Sequence, residues 1–121
     1  MTKKRIQVGQ AGEKAARDHL EKIGYKIVQT NYRCPLGEID IIARDNATVV
    51  IIEVRTKTGS AYGLPEESIT AEKVRRLRRL TLYYLQNIYG CEVACRIDLV
   101  AVMLNRNDLS VRNLKHIRGI L

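Results

Sequence analysis

Residues 48–56, TVVIIEVRT, decide how this chain is read. The first five look buried, and the segment then runs into polar ground at Glu53, Arg55 and Lys57. Side chains alternate along a strand, so these three share one side of it. An earlier acid, Asp40, meets Glu53 if it stands at the end of the neighbouring strand, and Glu13 lies further upstream. Two acids and a cation at one sheet edge, on a strongly basic chain, point to metal-assisted cleavage of a phosphodiester.

The 121 residues suit one domain, 1–121, large enough to bury a single core. A hydrophobic fraction of 45% argues for a folded protein rather than a disordered one. No apolar run approaches the ~20 residues that span a bilayer, and the opening MTKKRIQVGQAGEKAARDHL lacks an apolar stretch followed by a cleavage site. No membrane association and a cytoplasmic location are therefore the expectation. The formal net charge is +8 and the pI about 9.7. That excess favours polyanionic partners, nucleic acid first; the competing reading is a set of solvated lysines and arginines that bind nothing specific.

Three cysteines, Cys34, Cys91 and Cys95, form no regular framework and suit a reducing compartment. A zinc site on Cys91 and Cys95 would need Cys34 and His19 or His116 as further ligands. Their spacing fits no familiar zinc pattern, so ordinary thiols are the reading.

Along the chain, residues 8–23 read as a helix with a stripe of Gly9, Gly12, Ala16, Leu20 and Ile23, small enough to lie close to a sheet. Glu13 sits at the edge of that stripe, and Gly24 is the stop. Strands follow at Tyr25–Arg33, Glu38–Ala43 and 48–56, joined by turns at Pro35-Leu36-Gly37 and Asp45-Asn46. Residues 57–69 read as a loop. A second helix over 70–89 has Thr70 as N-cap and Glu72 in its first turn, with Val74, Leu77, Thr81, Tyr84, Leu85 and Ile88 as the buried stripe. Strands at Arg96–Leu104 and Leu109–Ile117 complete the order. The first three strands make a meander. The second helix then makes a right-handed crossover to a parallel fourth strand. The fold class is α/β, a mixed sheet flanked by helices.

Phosphodiester hydrolysis needs an activated water, neutralised phosphoryl charge and a stabilised leaving oxygen, and one or two magnesium ions can serve all three. Magnesium accepts one or two carboxylates together with a carbonyl, waters and a phosphate oxygen, and Asp40, Glu53 and the Val54 carbonyl match that need. A cation two residues beyond the second acid would face the same phosphate. Two carboxylates ~4 Å apart repel by about 4 kcal/mol at an effective dielectric near 20. A buried pair therefore calls for a cation, a raised pKa or a basic partner. The bland alternative is an ion-pair network in which Arg55 and Lys57 are those partners.

A wider set of residues adds to this: Gly9-x-x-Gly12-Glu13, Asn31-Tyr32-Arg33-Cys34 with Gly37-Glu38-Ile39-Asp40, Ile52-Glu53-Val54-Arg55, Ile69-Thr70-x-x-Lys73-x-x-x-Leu77, and Arg96-x-Asp98. Together, over residues 8 to about 104, they resemble the YraN-like family, a bacterial group similar to archaeal Holliday-junction resolvases within the PD-(D/E)XK nuclease superfamily. The resemblance implies a restriction-endonuclease-like fold and a Mg2+ (or Mn2+) site. Asp40 matches the first metal-binding acid, Glu53 the second, and Glu13 the helical acid that joins the metal shell. The superfamily lysine falls at Arg55, and the family's usual arginine two residues on is Lys57, so the two cations are exchanged. Arg stays protonated and cannot act as a base, whereas a desolvated Lys can. Resolvase relatives work as dimers, which makes a homodimer an expectation.

The remaining candidates each have two readings. Lys73 holds a phosphate near the acids or snorkels from the helix edge. Arg75, Arg76, Arg78 and Arg79 form a basic band for nucleic-acid backbone contacts or a solvated helix surface. Arg96 and Asp98, two apart on a strand, read as structural partners. Tyr62 suits base stacking beside the acids. His19 and His116 have no sequence partners and read as surface or boundary residues. The leading expectation is a magnesium-dependent DNA endonuclease acting on branched or flapped DNA. The rivals are an inactive nucleic-acid-binding module on the same fold and a structural protein whose acids are ion-paired.

Overall fold

The buried run at the start of residues 48–56 becomes the middle of a five-stranded sheet, in spatial order β1-β2-β3-β4-β5. The computed structural model describes residues 3–59, 63–91 and 93–120. Its elements are α1 (Lys3–Lys22), β1 (Lys26–Cys34), β2 (Gly37–Asp45), β3 (Thr48–Thr58), a short 3-10 helix (Pro65–Ser68), α2 (Ala71–Ile88), β4 (Cys95–Leu104) and β5 (Val111–Ile117). β1, β2 and β3 form the antiparallel meander. β4 returns parallel to β3 after α2, and β5 closes the far edge antiparallel. This is a mixed α/β sheet with two helices, a restriction-endonuclease-like architecture.

Strand β3 explains the layering. Val50 and Ile52 pack with Ala16 and Leu20 of α1, while Val49 and Ile51 pack with Leu77, Leu80 and Tyr84 of α2. Alternate residues thus enter two cores on opposite faces, which is why the run is continuously apolar instead of alternating. Each such side chain contributes roughly 1.5–3 kcal/mol by leaving water. The β2–β3 hairpin turns at Asn46, whose φ of 55° is a left-handed value that Asn tolerates better than most residues.

Helix α1 begins at Lys3, five residues earlier than the periodicity suggests. Lys3–Gln7 are exposed good helix formers that carry no apolar stripe, so pattern alone misses them. Its buried stripe is narrower than expected: Gly12, Ala16 and Leu20 are buried, and Gly9 and Ile23 are not. The small stripe does bring helix and sheet together, since a Cβ on Gly12 would sit 1.9 Å from Thr56 Oγ1. The helix stops at Gly24 (φ 95°), with Tyr25 N–H donating to the Leu20 carbonyl and Gly24 N–H to that of Glu21, a Schellman closure.

In α2 the Thr70 hydroxyl accepts from the Lys73 backbone N–H, as an N-cap should. Leu80 joins the buried set with Leu77, Thr81 and Tyr84, Leu85 packs against the core half-buried, and Ile88 is exposed. The expected loop at 57–69 contains the end of β3 and the 3-10 turn, and β5 starts at Val111 rather than Leu109, which takes a left-handed φ of 57°. No helix among the described residues is long and apolar enough to cross a membrane.

Candidate metal and phosphate site

The β2–β3 ladder pairs Ile41 with Ile52 and ends there on the side of the two acids. Beyond it the Asp40 carboxylate takes over, accepting the Val54 backbone N–H through Oδ2 at 2.9 Å. That bond places the Asp40 side chain against Glu53, and the two carboxyl groups are in hydrogen-bond contact. Burial, then the hydrogen bond and the charge of Glu53, push the Asp40 pKa up to about 7, while the Val54 N–H and Arg55 pull the other way. Asp40 therefore keeps its proton to a higher pH than a free carboxyl group, the behaviour of a buried acid beside a like charge.

Arg55 offsets the charge of this pair only in part. Its Nη2 lies 4.0 Å from Glu53 Oε2, the outer limit of an ion pair. Its Nε is buried and has no hydrogen-bond partner among the described residues. A guanidinium donor left in that condition costs free energy until an acceptor arrives. The donor set therefore suits two ligands together: a cation for the acids and an anion oxygen for Arg55.

A cleft of about 1140 Å³ opens in front of these groups, lined by Asp40, Arg55, Lys57 and Glu13. Glu53 is not among the residues that line it. Glu13 enters from α1 because Gly12 lets that helix approach β3, and its Oε1 accepts from Asn31 Nδ2 at 3.0 Å. Asn31 stands in β1 with a left-handed φ of 53°. Burial raises the Glu13 pKa, the Asn31 bond lowers it, and the charges of Asp40 and Glu38 raise it again. Among the described residues no three His, Cys, Asp or Glu side chains converge as one metal-holding group. The close pair is Asp40–Glu53, with Glu13 on the same cleft and tied to Asn31.

The basic residues that the sequence singles out on α2 lie away from the cleft. Lys73, Arg75, Arg76 and Arg79, with Arg78, do not line it. The four arginines are exposed on α2, and Lys73 is half-buried at its start. The cations on the cleft, besides Arg55 and Lys57, are Lys4 and Arg5 from the first turns of α1 and Arg33 from β1. The basic opening of the chain was the available signal, once the helix is allowed to start at Lys3. Tyr62 lies outside the described residues. Cys34, Cys91 and Cys95 are all free thiols.

Arg96 and Asp98 are partners as expected, with Arg96 Nε donating to Asp98 Oδ1 at 3.0 Å. His19 and His116 are half-buried boundary residues, as expected, and the structure gives them partners that the sequence does not show: His116 Nε2 lies 2.8 Å from Asp98 Oδ2, and His19 Nε2 lies 3.1 Å from His116 Nδ1. These contacts join α1 to β5 across 97 residues of sequence, a separation that no local pattern spans.

A mixed sheet between two helices, with a pair of acids at the end of a hairpin ladder, defines the class as restriction-endonuclease-like. Comparison with known proteins then gives the family: the model for "Uncharacterised protein family UPF0102" matches residues 12–102. The chain belongs to that family. It is 48% identical to a UPF0102 protein of Moorella thermoacetica over 108 residues, 89% of this chain and 90% of that relative. A UPF0102 protein of Mycobacterium avium is 43% identical, covering 98% of this chain and 93% of its own length. A third, from Desulfitobacterium hafniense, is 40% identical across 99% and 100% respectively. Membership is consistent with the PD-(D/E)XK superfamily to which the residue pattern pointed.

Proposed function

We propose that this protein is a metal-dependent endonuclease that hydrolyses phosphodiesters in DNA. The observation that carries the reading is the Asp40–Glu53 contact, a carboxyl pair holding a proton near neutrality beside an arginine whose Nε lacks an acceptor. Such a pair is expensive for a fold and useful as a divalent-cation site, so it serves as a functional marker. When bound, Mg2+ (or Mn2+) supplies the charge that lowers the pKa of a water and offsets charge on the phosphoryl oxygens. Asp40 and Glu53 would hold it, having given up their shared proton, with Glu13 reaching the same cleft.

The other steps fall to the chain's own side chains. Arg55 presents its guanidinium to a phosphate oxygen in the cleft and stays protonated throughout, so its part is charge stabilisation rather than proton transfer. Lys57 lines the same wall, about 6–7 Å further along by strand rise. Lys4, Arg5 and Arg33 hold the neighbouring phosphates of a strand lying in the cleft. Lys73, Arg75, Arg76 and Arg79 offer further backbone contacts outside it. Branched or flapped DNA is the substrate form that the resolvase resemblance favours.

A second reading rests on Arg55 itself. Arginine stands where the superfamily has lysine, and a group that cannot release a proton suits a DNA-binding module that no longer turns over. Incubation of the protein with flaps and four-way junctions plus Mg2+ or Mn2+ separates the two. The endonuclease cuts, and Glu53→Ala binds the same DNA without cutting. Cutting that survives Glu53→Ala removes the proposed site, and binding without any cutting by the unaltered protein favours the module.

A further inference from the structure

The groups that the nuclease reading leaves unused form a second cluster of titratable side chains, on the α1 face of the sheet. Asp98 is fully buried on β4. Its Oδ1 accepts the Gly119 backbone N–H at 3.0 Å and Arg96 Nε at 3.0 Å, and its Oδ2 faces His116 Nε2 at 2.8 Å. Burial alone would raise its pKa, yet the bonds from His116, Gly119 and Arg96 outweigh that and lower it. Asp98 is therefore ionised, and a carboxylate only accepts. His116 Nε2 must carry a proton and donate to it.

That assignment fixes the rest of the chain of bonds. His116 Nδ1 faces His19 Nε2 at 3.1 Å, with the rings edge-on at 86°. With both rings neutral, His19 Nε2–H donates to the His116 Nδ1 lone pair. With one extra proton the contact still has one donor and one acceptor. With two extra protons, Nδ1–H points at Nε2–H and the bond cannot exist. The pair has room for one positive charge and not for two.

The surroundings act the same way. On α1, Lys22 faces His19; after β5, Arg118 faces it as well. Burial first, then His116, Lys22 and Arg118, push the His19 pKa down. Tyr25 packs edge-on to His116 and accepts a hydrogen bond from Arg96 through its hydroxyl. The one other acid on the network, Asp45 at the end of β2, is bound by Arg96 at 3.1 Å. Among the described residues no acid is placed to accept the second proton.

We propose that His19, His116 and Asp98 form an acid-sensitive latch that fastens α1 to β5 and to the segment after it. The fastening is real in the backbone too, since Gly119 N–H ends on Asp98 and Ile120 N–H ends on the Ile97 carbonyl. In the unfolded chain each histidine takes a proton near pH 6.5. Below that pH the unfolded or opened state binds one more proton than the latched state, so the latch weakens as pH falls.

Amide hydrogen exchange on the full-length protein at pH 7.5 and 5.5, corrected for intrinsic exchange rates, tests this. Opening of β5 and of Gly119 should grow by up to tenfold for each pH unit below about 6.5, while the β2–β3 amides keep their protection. His19→Gln, which retains an amide donor toward His116 and cannot titrate, should remove that pH dependence. Equal pH dependence in the two proteins, or loss of protection spread evenly over the sheet, overturns the latch. A second measurement, imidazole nitrogen NMR of the unaltered protein, needs no variant. The latch requires His116 Nε2 protonated throughout and one ring neutral at pH 5.5; two rings titrating independently near pH 6.5 would refute it.

Discussion

Asp40 and Asp98 are two inward-facing aspartates on strands that flank β3, and their surroundings treat them in opposite ways. Asp98 is fully buried, yet its pKa is lowered by donors from β4, from β5 and from the segment after β5. The Asp40 pKa rises to about 7, because burial comes first, a second acid, Glu53, adds to it, and the one backbone N–H it receives, from Val54, does not offset them. Burial raises both carboxyl groups; the donors and charges aimed at each decide whether that rise survives. The fold completes the shell of Asp98 by itself. It leaves the shell of Asp40 open toward a cleft, which is where an external ligand finishes it.

The largest expected break in this comparison comes from Asp98→Ala. It leaves Arg96 and His116 without their anion and Gly119 N–H without its acceptor, and should lower unfolding free energy by about 3–5 kcal/mol in urea titration. Asp40→Asn should act in the opposite direction. Between about pH 4 and 7 the folded state holds the Asp40 proton that the unfolded chain releases, so this residue makes stability fall as pH rises through that window. Above pH 7 the variant, which keeps an acceptor for Val54 N–H, should be more stable than the unaltered protein by about 2 kcal/mol, while losing divalent-cation binding. The contribution of Asp98 runs the other way: present above about pH 4 and lost as pH falls below it. The smallest effect is expected at Arg55→Met. Its partner Glu53 is 4.0 Å away and its Nε is unmet, so stability should change by less than about 1 kcal/mol in thermal melts. DNA binding should still weaken.

Which parts were legible beforehand follows from how far each contact reaches along the chain. The double-sided burial of β3 is written in five consecutive residues, and the hairpins beside it in Asp45-Asn46 and Pro35-Leu36-Gly37. Asp45 proves to be the last residue of β2, paired with Thr48, so the turn lies one residue later than Asp45-Asn46, and that shift is what sets the register bringing Asp40 to Glu53. The start of α1 was hidden because an exposed helical turn of Lys3–Gln7 has no apolar period to read. Consequently the sequence pattern gives no sign that Lys4 and Arg5 line the cleft. Asn31 gave no local sign that its amide would meet Glu13 from another element.

The sequence by itself determined the strands, the two caps at Thr70 and Gly24, the layering of β3 and the face that Asp40 and Glu53 share. Those properties depend on neighbours within a few residues, where periodicity and turn chemistry act. Only the tertiary structure decided which cations surround the acids and that two distant histidines would share one hydrogen bond. It also decided that one buried aspartate is satisfied while the other is not. Electrostatic character depends on donors arriving from several elements at once, and that arrival is settled by packing.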